Sequence, residues 1–357
     1  MRGMIKAGMV GAALAAVLGG AVASAQSHGP NPPKWDRDYE PPRMADGTPS
    51  FDGIWSKASL TALERTPEWP NLVLTAEEAL IIERGNAEFM AAGDAPTDPN
   101  EGAPKAGDDI GGYNSFWFDQ GDSLGVVNGE YRSSWIVDPA NGKIPYSANG
   151  MKILGEWRAK SRGNFDDPEI RPNGERCTVG FGSSGTPPML NVLYNNHIQF
   201  FQTPDVVSIL AEMNHNARMV RMGGEFRSKA MNQWVGDSIG RWEGDTLVVE
   251  TTNFHKGSSS RGAIRHFLYL QPTSHVEERF TRVADDTIFY EFIVTDPELF
   301  TQPWKGEMPL WAAEGPIYEY ACHEGNHALP GILRGARVKE ADAAKAAQEQ
   351  AASGGGQ

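Results

Sequence analysis

Apolar and polar positions in the second half of the chain alternate with the two-residue period of strands, in runs too short for helices. The runs cover 196–202, 206–213, 217–222, 246–252, 275–283 and 287–295, with 316–322 read as the last strand. Turn residues punctuate them: Thr203-Pro204-Asp205, Asn214-His215-Asn216, Glu243-Gly244-Asp245 and Ala284-Asp285-Asp286. Upstream, 51–56 reads as a first strand. Residues 132–137 and 143–146 flank Asp138-Pro139-Ala140-Asn141-Gly142 and predict a hairpin, because Asn-Gly readily adopts the positive φ of a tight turn.

The period changes after Thr75. There Thr75 and Glu78 form a capping box, and Ala79, Leu80, Ile82, Ala87 and Met90 carry an apolar helix to Gly93. A second short helix is expected near 150–160. Short antiparallel strands with little helix between them predict a mainly β protein, an antiparallel barrel or sandwich with a short helical N-terminal segment. Gly53-x-Trp55 makes the expectation lipocalin-like. A barrel of about eight strands can hold one small ligand in its mouth. The expected organisation is a leader over 1–25, a Pro-rich linker or surface strap over 26–50, one β-rich domain over 51–337 and a disordered tail over 338–357. Within the domain, 51–130 is a mixed entry segment and 131–337 the β body.

The first residues predict export. Arg2 and Lys6 precede an uncharged apolar stretch over 7–23, and Ala23-Ser24-Ala25 is a small-x-small cleavage pattern. The stretch is short for a membrane span of about 20 residues, so the expected location is periplasmic or secreted, with no membrane insertion after cleavage. Losing Arg2 and Lys6 moves the formal net charge from −14 to −16. Such a chain is repelled by phosphate backbones and anionic lipid, which disfavours nucleic acid and membrane surfaces and leaves a small molecule as the expected partner. In an oxidising compartment the two cysteines, Cys177 and Cys322, read first as one disulfide; free thiols or a reactive nucleophile are the alternatives.

Ionisable groups inside strand text supply the candidate chemistry. Glu212, His215 and Arg218 fall in one run, where a bend at 214–216 would bring all three together. Glu-x-x-His is a metal-ligand spacing on a helix, but this setting is strand and turn, so no metal is expected. Residues 234–245 read as a Gly-punctuated loop in which Trp234, Asp237, Arg241 and Trp242 suit a sugar or planar ring. Glu250 either faces water or points into a barrel, where burial would raise its pKa. In His275-Val276-Glu277-Glu278-Arg279-Phe280 one charged set must point inward unless the strand is an edge. His323 and Glu324 beside Cys322 form a tethered acid–base pair, with Tyr320 nearby. There is no P-loop, dinucleotide fingerprint or calcium loop.

Several of these segments occur together in one family. Arg132 to Pro139, Glu175-Arg176-Cys177, Gln202-Thr203-Pro204-Asp205, the Glu212 to Arg218 segment, Gly236-Asp237-Ser238 through Asn253-Phe254 and Tyr320 to Asn326 stand here in order. On these motifs the chain resembles a large group of exported bacterial proteins. The resemblance spans about 130–337 and implies export and a β-rich body; it transfers no catalytic roles. Ser133-Ser134-Trp135 departs from the family's Thr-Ser-Leu.

The expected function is an exported enzyme using acid–base chemistry without a cofactor: a hydrolase, lyase or isomerase acting on a small organic or sugar-like ligand in a barrel mouth. Glu212, His215, Glu250, His323 and Glu324 are its proton-transfer candidates. Arg218 and Arg241 would stabilise negative charge, with Trp234, Asp237, Trp242, Asn253 and Tyr320 as ligand-binding positions. The alternatives are a non-catalytic periplasmic carrier of a small hydrophobic or aromatic compound, and a structural cell-envelope protein.

Overall fold

The computed structural model describes residues 29, 31–95, 100, 102, 118–161, 165–181, 183–263 and 266–354. The expected leader over 1–25 lies outside them. Nine strands close into a barrel: β1 (Gly53–Ser56), β6 (His197–Gln202), β7 (Val206–Ala211), β8 (Asn216–Met222), β9 (Asp237–Glu243), β10 (Thr246–Thr252), β13 (His275–Ala284), β14 (Thr287–Thr295) and β15 (Trp304–Ala312), with β15 returning to β1. The expectation of a lipocalin-like antiparallel barrel is met. A ring with an odd number of strands cannot alternate direction throughout, so one pair must run parallel. It is β8 with β9. A parallel pair needs a long connection, and residues 223–236 provide it.

Inward residues follow strand parity. Val276, Glu278 and Phe280 on β13 and Ile288, Tyr290, Phe292 and Val294 on β14 are all fully buried. Their rings form a column: Phe280 to Tyr290 at 4.9 Å, Tyr290 to Phe292 at 5.6 Å and Phe292 to Trp304 at 5.7 Å between centroids. Each such pair contributes about 0.5–1.5 kcal/mol beyond its buried area. The interior is packed core. Gly306 is required there, because a Cβ on it would lie 2.1 Å from Phe292 Cζ.

The entry segment builds a satellite. Helix α1 (Ala76–Gly93) starts at Thr75 with both halves of the capping box formed, Thr75 Oγ1 accepting from the Glu78 amide at 3.2 Å and Glu78 Oε2 from the Thr75 amide at 2.8 Å. It packs on a small sheet of β2 (Val73–Leu74), β4 (Glu130–Arg132) and β3 (Val126–Val127) around Leu60, Leu74 and Tyr131. The strap over 31–52 crosses the barrel, with Trp35 against Phe289 at 4.7 Å and Arg43 ion-paired with Asp245 at 2.5 Å.

Four expectations fail, the first three because pairing between distant segments outweighs a local signal. The 132–146 hairpin does not form: β5 (Ile136–Asp138) pairs with β15, and Tyr146 bridges Phe300. The last strand is β15, whereas 316–322 is irregular and crosses the Glu212 end of the barrel. Residues 237–243 are barrel strand rather than loop. The expected tail begins inside helix α3 (Ala328–Gly354), where Arg337 bonds the carbonyls of Phe165 and Asp166 at 3.0 Å each. Helix α2 (Ala148–Ser161) stands where a short helix was expected. Among the described residues no helix is long and apolar enough to cross a membrane.

Candidate active site at the covered end of the barrel

The two barrel ends differ. At one, strands join through the short turns 203–205, 244–245 and 285–286. At the other, long excursions over 139–196 and 253–274 lie across the opening, including the hairpin of β11 (Ser260–Ala263) and β12 (His266–Tyr269). The segment 183–191 closes that end from inside, the Met189 amide donating to Tyr290 Oη at 2.9 Å.

Five titratable side chains gather at the covered end: Lys57, Asp119, His197, Glu212 and His266. Register places Ser56 opposite His197, and the Glu212 amide bonds the His197 carbonyl at 3.0 Å. This brings His197 Nδ1 to 3.2 Å from Glu212 Oε2. Glu212 Oε1 accepts from the Tyr318 amide at 3.0 Å. Its bond to Glu212 raises the His197 pKa against the opposing effect of burial. Burial opposes charge on Glu212, but the bonds from His197 and Tyr318 outweigh it and hold the carboxylate low. Lys57 follows β1, is 1% exposed and has no hydrogen-bond partner for Nζ among the described residues. Burial lowers its pKa to about 8 although Asp119 and Glu212 pull the other way. Burial, then the Lys57 charge, lowers His266 to about 4.

Cavities adjoin this cluster. One of about 610 Å3 has His266, Phe181, Leu193, Phe267 and Trp157 in its wall. A second of about 710 Å3 shares Trp157, Pro172, Asn173 and Ser260 with it and adds Trp234 and His255. Trp157 packs on Phe267 at 5.1 Å, and Trp234 on His255 at 4.3 Å. Each cavity has aromatic and imidazole groups in its wall, and the larger also carries Lys160, Asp167, Glu169, Arg171 and Arg176.

The structure separates most of the residues singled out in the sequence. Glu212 stays in the cluster. The expected bend at Asn214 and His215 exists, both at positive φ, but His215 is exposed and its Nε2 accepts from the Tyr320 amide at 3.3 Å. Arg218 points into the barrel, where it bonds both oxygens of Glu278, one of them at 3.1 Å. Glu250 lies on the outer face with Arg241 and His275, so it does not enter the barrel. Trp242 stacks on Phe51 at the opposite end of β9 from Trp234, so the two tryptophans cannot wall one ligand. Asp237 is buried; although burial opposes its charge, the Arg221 side chain and Arg227 amide, each at 2.6 Å, keep its pKa low and brace the crossover. Asn253 Nδ2 bonds the Arg227 carbonyl at 2.9 Å. His323 and Glu324 are exposed. Their tether is real: Cys177 and Cys322 form a disulfide with Cα atoms 5.6 Å apart.

Lys57, His197 and His266 carried no spacing signal: Lys57 and His197 meet Glu212 through the register of the closed sheet, and His266 comes from the separate β11–β12 hairpin. Glu278 did carry one, the parity it shares with Val276 and Phe280. Compared with known proteins, the chain matches no family model and no curated relative.

Proposed function

We propose that the protein is an exported acid–base enzyme, independent of a cofactor, whose small organic or sugar-like substrate lies in the paired cavities outside the covered barrel end. The observation that carries this reading is His266. It stands in the wall of the 610 Å3 cavity with Nε2 buried and unpartnered among the described residues, in the field of Lys57. The imidazole is unprotonated at neutral pH, and once an anionic substrate group offsets the Lys57 charge it can accept a proton from the bound molecule. The ammonium beside it stabilises the negative charge that proton removal creates. Trp157 and Trp234 supply faces for a ring. The packed interior is why the ligand is placed outside the barrel rather than in its mouth. Export draws support from the disulfide and from the motif order resembling exported bacterial proteins.

The test is incubation of the mature protein with cell-envelope and plant-derived extracts, followed by mass spectrometry for consumed compounds. Turnover should fall about 100-fold or more in His266→Ala and in Lys57→Met, while His215→Ala, His323→Ala and Glu250→Gln leave it near wild type. Turnover that survives in both His266→Ala and Lys57→Met refutes the reading. Retention of a compound without turnover by the wild type favours the carrier.

A further inference from the structure

A second site is argued from Arg261. On β11 its neighbours Ser260 and Gly262 line the cavities, and strand alternation turns Arg261 the other way, towards the closed barrel end. The side chain is fully buried. Its Nε donates to the Ser258 carbonyl at 3.3 Å, one terminal nitrogen donates to the Pro187 carbonyl, and the guanidinium lies 4.5 Å over the Phe254 ring. None of these partners is charged.

Glu278, the carboxylate whose charge acts on Arg261, is already engaged. Both oxygens of Glu278 are taken by Arg218, and Tyr290 Oη donates to one of them at 2.7 Å. Two guanidiniums therefore share one carboxylate in this region. Three further groups are buried without partners among the described residues: Arg261 Nη2, Ser258 Oγ and Thr186 Oγ1. They belong to Arg261 itself, to the residue accepting from its Nε, and to the neighbour of the residue accepting from its terminal nitrogen. Burial lowers the Arg261 pKa to about 9, so the side chain remains a cation at neutral pH. A buried cation is stable when an anion and hydrogen bonds compensate it.

We propose that Arg261, with the hydroxyls of Ser258 and Thr186, forms a buried site for a small monovalent anion, either an inorganic halide or the carboxylate of a bound molecule. A guanidinium offers paired N–H donors in a plane, and two hydroxyls complete a shell around one negative charge. The carboxylate arm rests on the ligand reading above; the halide arm stands without it.

The experiment follows thermal unfolding of the mature protein at constant ionic strength, replacing isethionate with chloride, bromide or formate. Ligand binding to the folded state alone raises the midpoint with concentration. The midpoint should rise with halide, with formate or with both, and the rise should vanish in Arg261→Met. Halide dependence identifies a resident inorganic ion, and formate dependence alone identifies a carboxylate pocket; either supports the site. Should Arg261→Met fail to fold, bromide anomalous scattering from wild-type crystals takes its place, with a peak expected within hydrogen-bond reach of Arg261. An anion effect that persists in a folded Arg261→Met, or a wild type with neither an anion effect nor a bromide peak, overturns the proposal. The acid–base reading would survive either failure, because it rests on Lys57 and His266.

Discussion

Arg218 and Glu278 stand sixty positions apart in the chain and meet inside the barrel, 1% and 0% exposed, with Arg218 Nη2 and Glu278 Oε1 at 3.1 Å. Thr251 Oγ1 accepts from Arg218 at 3.3 Å, and Tyr290 Oη donates to Glu278, so the pair sits in a polar knot within an aromatic core. Taking two charges out of water is offset here by bidentate geometry and added hydrogen bonds.

Removing one partner should therefore be severe. Glu278→Ala leaves Arg218 buried without its counter-charge and should lower unfolding free energy by about 3–5 kcal/mol. The double variant Arg218→Met with Glu278→Leu should recover much of that loss. Urea unfolding of the four proteins measures both.

Lys57 makes stability depend on alkaline pH. Its pKa is lowered in the folded state, to about 8 from 10.5, so between these values the unfolded chain binds more protons. Stability should therefore rise with pH across that window. The rise belongs to the difference between wild type and Lys57→Met, which denaturant titrations at pH 7.5 and 10 would isolate.

His197 and Glu212 act in the acidic range. The raised His197 pKa contributes stability that is full below about 6.5 and is lost as pH rises through the folded value. The lowered Glu212 pKa contributes stability present above about 4.5 and lost as pH falls through its folded value. Their pairing is strongest between, and His197→Gln should flatten the falling limb above pH 6 in melting experiments.

The Cys177–Cys322 bridge closes a separation of 145 residues. On the chain-entropy model such a loop contributes about 5 kcal/mol. Reduction, or Cys177→Ser with Cys322→Ser, should destabilise the protein by up to that amount and release the 318–327 segment, in which the Tyr320 amide bonds His215 and Asn326 Nδ2 donates to the Glu175 carbonyl at 2.8 Å. Thiol counting and hydrogen exchange across this segment check it.

Gly306→Ala places a methyl against Phe292 at 2.1 Å. Overpacking of this kind costs about 1–3 kcal/mol, to be read from the urea midpoint.

Strand parity made much of the barrel legible before folding. The expected run 246–252 coincides with β10, and 287–295 with β14, where Ile288, Tyr290, Phe292 and Val294 are buried and alternate with partly exposed neighbours. The Thr75 capping box was equally plain, being a contact between residues three apart. The site was less so. Glu212 was recognised, yet its partner His197 lies across β6 and β7, and Lys57 reaches the cluster only through the β1 register. Trp234 and Trp242 look like one aromatic loop in the chain, and β9 sends them to opposite ends.

The sequence by itself determined the β period and the helix start at Thr75, and made a Cys177–Cys322 bond the first reading. These depend on local alternation, on near-neighbour hydrogen bonds and on there being only two thiols. The tertiary structure alone decided the closure of nine strands, the meeting of Glu278 with Arg218 and the gathering of Lys57, His197, Glu212 and His266 at one end. Those outcomes depend on which distant strands pair and in what register, and no local pattern encodes that choice.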